Sequence, residues 1–322
     1  MESITKAQIS QEQIKQLVIK AFGTNTYPVN IVENKEGWFN AAYFITLSNG
    51  KEVVLKIAPP PQVKVLRYEK DILQTEVTVL QLLASSNIPV PLVYFHDYSR
   101  TIISSDYFIM EKLPGNAYSK LRDSLKPEIQ EQIDIEWGQI CKAINDIHGT
   151  EFGSFIQLEK RRRKWSEAFM VMIDDILQDG IDLKITLPLE YEVIRKMISS
   201  RVLILDEVKI PSLVHWDLHS GNIIVNDGKI TGIIDCDRAV WGDPLIETYL
   251  GYWPNPMDIR SILKGYGPLP IDTKEGKYRR VLYDIYLYLI MVIESHYRMY
   301  SQEHQNYVYQ ILLYTLTELD KL

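Results

Sequence analysis

The chain has 322 residues, 46% hydrophobic and 24% charged, a composition typical of a folded globular protein with one large core or two lobes. Its 35 basic and 42 acidic residues give a formal net charge of −7, which argues against nucleic acid as a partner. Two cysteines are too few for a disulfide framework, and the longest apolar run, Tyr286 to Ile293, is far shorter than the roughly 20 residues that span a bilayer, so we expect a cytoplasmic protein with no membrane segment.

The N-terminal part of the chain is predicted to combine helices with antiparallel strands. Ser10 followed by Gln13 has the pattern of a capping box, and the apolar stripe behind it predicts a helix that ends at Gly23. A second helix is expected from about Val65 to Ser85, after a run of three prolines. The predicted strands are Tyr43–Leu47, Val53–Ile57, Leu92–Phe95 and Tyr107–Glu111.

After Pro114 the pattern is mainly helical and is interrupted by one further hairpin. This order of elements predicts an α+β protein with a small β-rich N-lobe, residues 1–113, and a larger, mainly helical C-lobe, residues 114–322. The hinge between the two is expected near Met110–Gly115.

The most informative stretch runs from His215 to Asn222 and continues into that hairpin. Two β-branched runs follow, and the Asp227-Gly228 pair between them is a strong signal for a two-residue hairpin turn. With this turn, Asn226 faces Lys229 across the two strands.

The same register predicts a metal site at the open end of the hairpin. Counting back from the turn, Asn222 faces Ile233, and Asp235 shares that face because side chains alternate along a strand. Amide and carboxylate oxygens are hard ligands that suit Mg²⁺. Asp217 lies five residues before Asn222, near enough in sequence to face the same metal.

This pattern resembles the catalytic loop of the protein-kinase-like fold, and most closely that of the aminoglycoside phosphotransferase and choline kinase branch. That branch has His-x-Asp-x-x-x-x-Asn, then Ile-Asp-x-(Asp/Glu) and Gly-Asp-Pro, which here are His215 to Asn222, Ile234 to Asp237 and Gly242 to Pro244. The resemblance covers roughly residues 30 to 300. It implies that Asp217 orients or deprotonates the acceptor hydroxyl, and that Asn222 and Asp235 bind Mg²⁺.

Other residues of the motif have weaker assignments. The resemblance implies a supporting hydrogen bond from His215, a variable role for His219 and a structural role for Asp243. Asp237 is either a ligand of a second metal or a cap on the next segment. The family commonly has Asp where Glu247 stands, a departure without an evident consequence.

Lys56 is the lone cation in an apolar strand, so its ammonium requires a partner. In the kinase-like fold a lysine here contacts the α- and β-phosphates of the nucleotide and pairs with a glutamate on the following helix. Glu69 and Glu76 are the candidates. We choose Glu76, because with Leu80 and Leu83 it matches the family's Glu-x-x-x-Leu-x-x-Leu helix.

The resemblance also assigns the remaining nucleotide contacts. Backbone groups of Glu111 and Leu113 would bind the adenine, with Met110 at the back of the pocket. The stretch Glu36–Asn40 has one glycine and departs from the Gly-x-Gly-x-x-Gly loop of protein kinases, but it resembles the Gly-x-x-Asn of the phosphotransferase branch. Asn40 is therefore a candidate phosphate contact.

Two groups of residues bear on which acceptor the protein uses, and each group has two interpretations. Four carboxylates within nine residues either bind a polycationic substrate such as an aminoglycoside or form a solvated acidic face: Asp174, Asp175, Asp179 and Asp182. Four tyrosines at helical spacing either pack in the core or form a cage for a quaternary amine: Tyr283, Tyr286, Tyr297 and Tyr300.

The sequence thus predicts a small-molecule kinase that moves the γ-phosphate of ATP, with GTP as the alternative nucleotide, to a hydroxyl of its acceptor. An aminoglycoside-like antibiotic is one expected acceptor, and a metabolic compound such as choline, a sugar or an amino alcohol is the other. A nucleotide-binding regulator without catalysis is disfavoured, because Lys56, Asp217, Asn222 and Asp235 are all present. We expect a monomer or a homodimer.

Overall fold

The computed structural model describes residues 5–37, 39–250 and 258–321. Its helices are α1 (Gln11–Phe22), α2 (Ile72–Ser85), α3 (Tyr118–Leu121), α4 (Pro127–Asn145), α5 (Trp165–Asp182), α6 (Tyr191–Ser199), α7 (Arg260–Tyr266), α8 (Lys274–Tyr297) and α9 (Gln302–Lys321). Its strands are β1 (Pro28–Asn34), β2 (Ala41–Leu47), β3 (Glu52–Ile57), β4 (Val93–Asp97), β5 (Tyr107–Glu111), β6 (Asn116–Ala117), β7 (Gly153–Ser154), β8 (Ser212–Val214), β9 (Ile223–Asn226), β10 (Lys229–Ile233) and β11 (Val240–Gly242).

The chain divides into two compact units. The first unit contains residues up to Val65, then Asp71–Ala117 and Ile223–Asp237, and the second contains Leu66–Lys70, Tyr118–Asn222 and Arg238–Leu322. The hairpin of β9 and β10 therefore packs within the first unit, whereas the division expected from the sequence placed it with residues 114–322.

The first unit is built on a five-stranded antiparallel sheet in the order β1-β2-β3-β5-β4. Helix α1 begins with the predicted capping box, in which Ser10 and Gln13 bond reciprocally through side chain and backbone. The helix ends at Gly23, whose φ of 87° is a left-handed conformation that glycine adopts readily. The apolar side chains of α1 and the inner face of the sheet form one core.

Helix α2 is shorter than the sequence predicted. It begins at Ile72 and not near Val65, because the preceding residues form a separate 3₁₀ turn, Arg67–Glu69, that belongs to the second unit. A side-chain oxygen of Glu69 accepts the Leu66 N–H at 2.9 Å, which closes this turn. Asp71, at φ 60°, then redirects the chain into α2.

The hairpin of β9 and β10 has the predicted turn but not the predicted register. Asp227 and Gly228 both have positive φ, 48° and 75°, as a type I′ turn requires, and Asn226 pairs with Lys229. The pairing then shifts by one residue between Ile230 and Gly232, so Thr231 forms a β-bulge.

Because of this bulge, Ile233 pairs with Ile223 and not with Asn222, and the predicted Asn222–Ile233 pairing is wrong. A hydrogen bond of Thr231 and the packing of Gly232 explain why the bulge forms here. The Thr231 hydroxyl donates to the Pro114 carbonyl at 2.8 Å, while Gly232 lies under Leu113, where a Cβ would come within 2.6 Å of the leucine side chain.

The second unit is mainly helical, as predicted, and α8 lies at its centre with much of its length buried. Helices α4 and α7 cross at very close range. A Cβ on Gly138 would lie 1.9 Å from the Ile262 carbonyl oxygen, and one on Gly265 would lie 1.9 Å from that of Ile135. Glycine is required at both crossing points because any side chain would collide with backbone.

Within the described residues, no helix combines the length and the apolar character that crossing a membrane would require.

Candidate active site

The loop that follows β8 carries the predicted catalytic residues. Two backbone hydrogen bonds tighten it, from His219 N to the Asp217 carbonyl at 3.0 Å and from Asn222 N to the His219 carbonyl at 2.9 Å. Trp216 has a φ of 63°, which is strained for an aromatic residue. Its indole stacks on the buried Tyr286 ring, with centroids 5.2 Å apart, so packing within the second unit holds this conformation.

Asp217 is held by its backbone, and its side chain is about 25% exposed. Its N–H donates to Nδ1 of the buried His215 at 3.2 Å, the supporting role that the resemblance implied. Its carbonyl accepts the Asn222 side-chain N–H at 2.8 Å. This bond orients the Asn222 amide so that its nitrogen faces the loop, and its oxygen is then the atom left for a metal.

Glu247 is the functional residue that sequence reasoning missed. One of its carboxylate oxygens accepts the Trp216 N–H at 3.0 Å, and the other accepts the N–H groups of Leu218 at 3.1 Å and Thr248 at 3.2 Å. Burial raises the pKa of this carboxyl to about 7, against the effect of these hydrogen bonds. Glu247 thus clamps the backbone on both sides of Asp217. A lone charge in the apolar stretch that follows Asp243 was the available signal.

Asp243 has the structural role that the sequence suggested. Its carboxylate accepts the Tyr283 hydroxyl at 2.7 Å and the Leu245 N–H at 3.1 Å, and it pairs with Arg279 at 3.2 Å. These contacts hold the segment after β11 against α8.

The second group of predicted residues lies entirely in the first unit and centres on Lys56 of β3. The ammonium is 2.5 Å from Glu76 Oε2, 2.5 Å from Asp235 Oδ1 and 4.0 Å from Asp237 Oδ2. The predicted ion pair of Lys56 and Glu76 is therefore present, whereas Glu69 pairs with Arg298 in the second unit.

The charges of this cluster shift the pKa values of its members. Burial acts to lower the pKa of Lys56, but the three carboxylates outweigh burial and raise it well above its ordinary value. Burial raises the pKa of Glu76 to about 7, with Lys56 opposing and Asp235 reinforcing the rise. The lysine is fully charged at neutral pH, and the buried glutamate is the group that resists ionisation.

The same cluster fits a divalent cation. Oxygen atoms of Glu76, Asp235 and Asp237 lie within 4.8 Å of one another, and three carboxylates face a single ammonium. Among the described residues the buried Oε1 of Glu76 accepts no hydrogen bond. An all-oxygen donor set with excess negative charge suits Mg²⁺.

Asn40 and the hinge residues also belong to the first unit. The Asn40 amide is buried and donates to Asp237 Oδ2 at 3.4 Å, so this residue faces the carboxylate cluster. Met110 is buried in β5, and the Glu111 N–H donates to the Leu92 carbonyl at 2.8 Å, so this N–H is already bonded within the unit. Trp38, in the predicted phosphate loop, lies outside the described residues.

Each of the four acidic residues on α5 has a cationic partner within the chain. Asp174 pairs with Arg195 at 2.7 Å, and Asp175 with Lys160 at 2.7 Å. Asp179 and Asp182 both pair with Arg67, the latter at 2.8 Å. Three cations of this chain thus face the four carboxylates, and Arg67 serves two of them.

The tyrosines divide by burial. Tyr283 and Tyr286 are buried in the core of the second unit, and the former also accepts the Trp165 N–H at 2.8 Å. Tyr297 and Tyr300 are half-buried near the end of α8. The core interpretation is therefore correct for the first two.

A family model described as "Phosphotransferase enzyme family" matches residues 30–267. The chain belongs to this family. The resemblance drawn from the motifs of this chain is thereby confirmed.

Solved structures extend the match to almost the whole chain. A candidate fructosamine-3-kinase from Thermobifida fusca has a TM-score of 0.69 at 16% identity and covers 94% of this chain and 98% of its own. Aminoglycoside phosphotransferase APH(4)-Ia with AMP-PNP and hygromycin B has a TM-score of 0.66 at 18% identity, covering 95% and 98%. At these identities the likeness establishes the fold, which is the predicted two-lobed protein-kinase-like fold.

The curated relatives match this chain over only a small part of their own lengths. The mouse acyl-CoA dehydrogenase family member 10 is 22% identical over 306 residues, which are 91% of this chain and 25% of that protein. A subtelomeric hrmA-associated cluster protein of Aspergillus fumigatus is 26% identical over 153 residues, 47% of this chain and 29% of that protein. The phosphotransferase spans about a quarter of the length of the curated relatives that it matches.

Proposed function

We propose that this phosphotransferase transfers the γ-phosphate of ATP, in the presence of Mg²⁺, to a hydroxyl group of a small metabolite. The observation that carries the proposal is the buried Lys56 ammonium, paired with Glu76 and adjacent to Asp235. Burying an ammonium group is energetically costly, and binding the phosphates of a nucleotide is a function for which kinases retain such a buried lysine.

Phosphoryl transfer needs an aligned nucleophile and neutralised charge more than covalent help. Lys56, braced by Glu76, would hold the α- and β-phosphates. Mg²⁺, when bound through Asp235 and in part Asp237, would neutralise charge on the β- and γ-phosphates, and the family motif implies Asn222 as a further ligand. Met110, Glu111 and Leu113 would bind the adenine through the end of β5.

Asp217 would act on the acceptor. Its backbone is fixed by His215 and Asn222, and its partly exposed carboxylate would accept a hydrogen bond from the acceptor hydroxyl and take the proton late in the reaction. Burial of Trp216 and Leu218 on either side limits movement of the loop and keeps this carboxylate in place.

The charges on α5 favour a metabolic acceptor over an aminoglycoside. An aminoglycoside-like antibiotic carries several ammonium groups, which would have to compete with Arg67, Lys160 and Arg195 of this chain for the four α5 carboxylates. A quaternary amine such as choline is disfavoured as well, because two of the four candidate cage tyrosines are buried in the core. We therefore propose a weakly charged hydroxyl compound, a sugar or an amino alcohol.

A γ-phosphate transfer screen tests the proposal. ATP and GTP with Mg²⁺ are each offered sugars, amino alcohols, choline, aminoglycosides and macrolides. Transfer to a sugar or an amino alcohol is expected, and Asp217→Asn should lower kcat by about 10²–10⁴-fold with little change in the KM for ATP.

Two results would contradict the proposal. Asp217→Asn with near-normal turnover on the true acceptor would refute the assignment of the base. Tight ATP binding without transfer to any acceptor would instead support a nucleotide-binding regulator.

A further inference from the structure

His219 stands beside the proposed base, and the reaction scheme gives it no role. Its Nε2 lies 4.0 Å from Asp217 Oδ1. The imidazole is about 55% exposed and the aspartate side chain about 25%, so the two groups meet on the accessible side of the loop. An acceptor hydroxyl that reaches Asp217 would approach on that side.

The proton of the neutral ring is on the nitrogen nearer Asp217. The Gly221 N–H donates to His219 Nδ1 at 2.9 Å. A nitrogen that accepts a hydrogen bond carries no proton, so the neutral imidazole is protonated at Nε2. That N–H is a donor on the side of the aspartate carboxylate.

The loop also fixes the position of the ring. A Cβ on Gly221 would lie 2.5 Å from His219 Cε1 and 2.9 Å from Nδ1, so glycine is required there for the ring to occupy its place. The backbone of His219 is held at both ends, by its N–H to the Asp217 carbonyl and by its carbonyl to the Asn222 N–H. The hydrogen bond from the Gly221 N–H to Nδ1 then ties the ring itself to the loop.

We propose that His219 is a positioning residue for Asp217. Its Nε2–H engages Oδ1 of the carboxylate and restricts rotation of that group, which leaves Oδ2 turned toward the acceptor hydroxyl. The 4.0 Å separation exceeds a hydrogen bond, but hydrogen bonds of catalytic groups are often long without substrate and shorten in the complex. The inference rests on the proposed function, since it assumes that Asp217 acts on the acceptor.

Two substitutions distinguish the contribution of Nε2 from that of Nδ1. In His219→Gln the side-chain amide reaches the position of Nε2 and can donate to Asp217. In His219→Asn the shorter side chain places its oxygen near the position of Nδ1, where it can accept the Gly221 N–H but cannot reach Asp217. His219→Leu removes both contacts.

The expected result is an ordered series of turnover numbers. His219→Gln should retain kcat within about threefold, while His219→Asn and His219→Leu should lose about tenfold or more, because orientation of a catalytic group contributes at this scale. The KM for ATP should change little in all three, and His296→Gln, on the exposed side of α8, is the matched control.

The opposite order, with Asn active and Gln impaired, would show that His219 serves only the turn at Gly221, and equal turnover in all variants would also overturn the proposal. Asp217→Asn is measured beside them. If that variant remains active, the proposed function fails, whereas its inactivity with unaffected His219 variants overturns the positioning role alone.

Discussion

Replacement of Glu247 tests whether a buried carboxylate holds the catalytic loop in its strained conformation. This side chain accepts the N–H groups of Trp216 and Leu218, the residues on either side of Asp217, and both of these residues are buried. Removing the acceptor leaves two donors with neither a partner nor access to water. We therefore expect effects on stability and on turnover.

The magnitude follows from the hydrogen bonds. A buried donor left unsatisfied costs about 1–3 kcal/mol, so Glu247→Ala should lower the free energy of unfolding by about 2–6 kcal/mol. Glu247→Gln keeps one acceptor oxygen and should lose about 1–3 kcal/mol. Part of the loss is offset, because burial raises the pKa of Glu247 to about 7 and removing the charge ends that cost.

Turnover should fall with the loss of the clamp. Misplacement of a catalytic group by about 1 Å can lower the rate by about 10²-fold, so both variants should show reduced kcat on the true acceptor. Urea unfolding with an unchanged slope measures the stability, and steady-state kinetics measures the turnover. Glu167→Gln, an exposed glutamate on α5, is the matched control and should stay within about 0.5 kcal/mol of the natural protein.

A Glu247→Gln protein with the urea midpoint and the kcat of the natural protein would refute this reasoning. Reduced stability with unchanged kcat would show that the clamp supports the fold but does not position Asp217.

Three further substitutions examine packing and charge. Gly138→Ala should lower the free energy of unfolding by about 1–3 kcal/mol or more, because its Cβ would meet the Ile262 carbonyl at 1.9 Å, and an unchanged urea midpoint would contradict the helix crossing. Lys56→Met should lower the free energy of unfolding by about 3–5 kcal/mol, because it leaves Glu76 buried and unpaired. Adding Glu76→Gln should restore part of that loss. A double variant no more stable than Lys56→Met would argue against coupling of the two residues. Because the folded pKa of Glu76 is raised from 4.5 to about 7, its contribution to stability is present below the lower value and lost as pH rises through the higher one. In thermal unfolding, the stability of Glu76→Gln relative to the natural protein should therefore rise between about pH 4.5 and about pH 7, and a pH-independent difference would contradict this expectation.

Much of the first unit could be predicted because its signals are local. The capping box at Ser10 and the Asp227-Gly228 turn depend on adjacent residues, and both are present as expected. The pairing of Lys56 with Glu76 could be predicted because a lone cation in an apolar strand requires a partner and the family resemblance indicated where to look.

The features that could not be predicted depend on residues far apart in sequence. Glu69 was one of two candidate partners of Lys56, but its buried partner is Arg298, 229 residues further along the chain. The bulge at Thr231 arises because its hydroxyl bonds to the carbonyl of Pro114, a contact absent from the alternation of β-branched residues. Glu247 was missed for the same reason, because its role depends on the N–H groups of Trp216 and Leu218, about thirty residues earlier in the chain.

The bulge also determines where this hairpin tolerates changes in length. Residues Asp227 and Gly228 form a turn at the far end, and a longer loop there leaves the pairing of Ile223 with Ile233 intact. A change of length between Gly232 and Asp235 would instead displace the carboxylate that contacts Lys56, and loss of Thr231 would remove the bulge together with its hydrogen bond to the Pro114 carbonyl. Engineered or natural insertions should therefore accumulate at the turn, while the stretch from Thr231 to Asp235 keeps a fixed length.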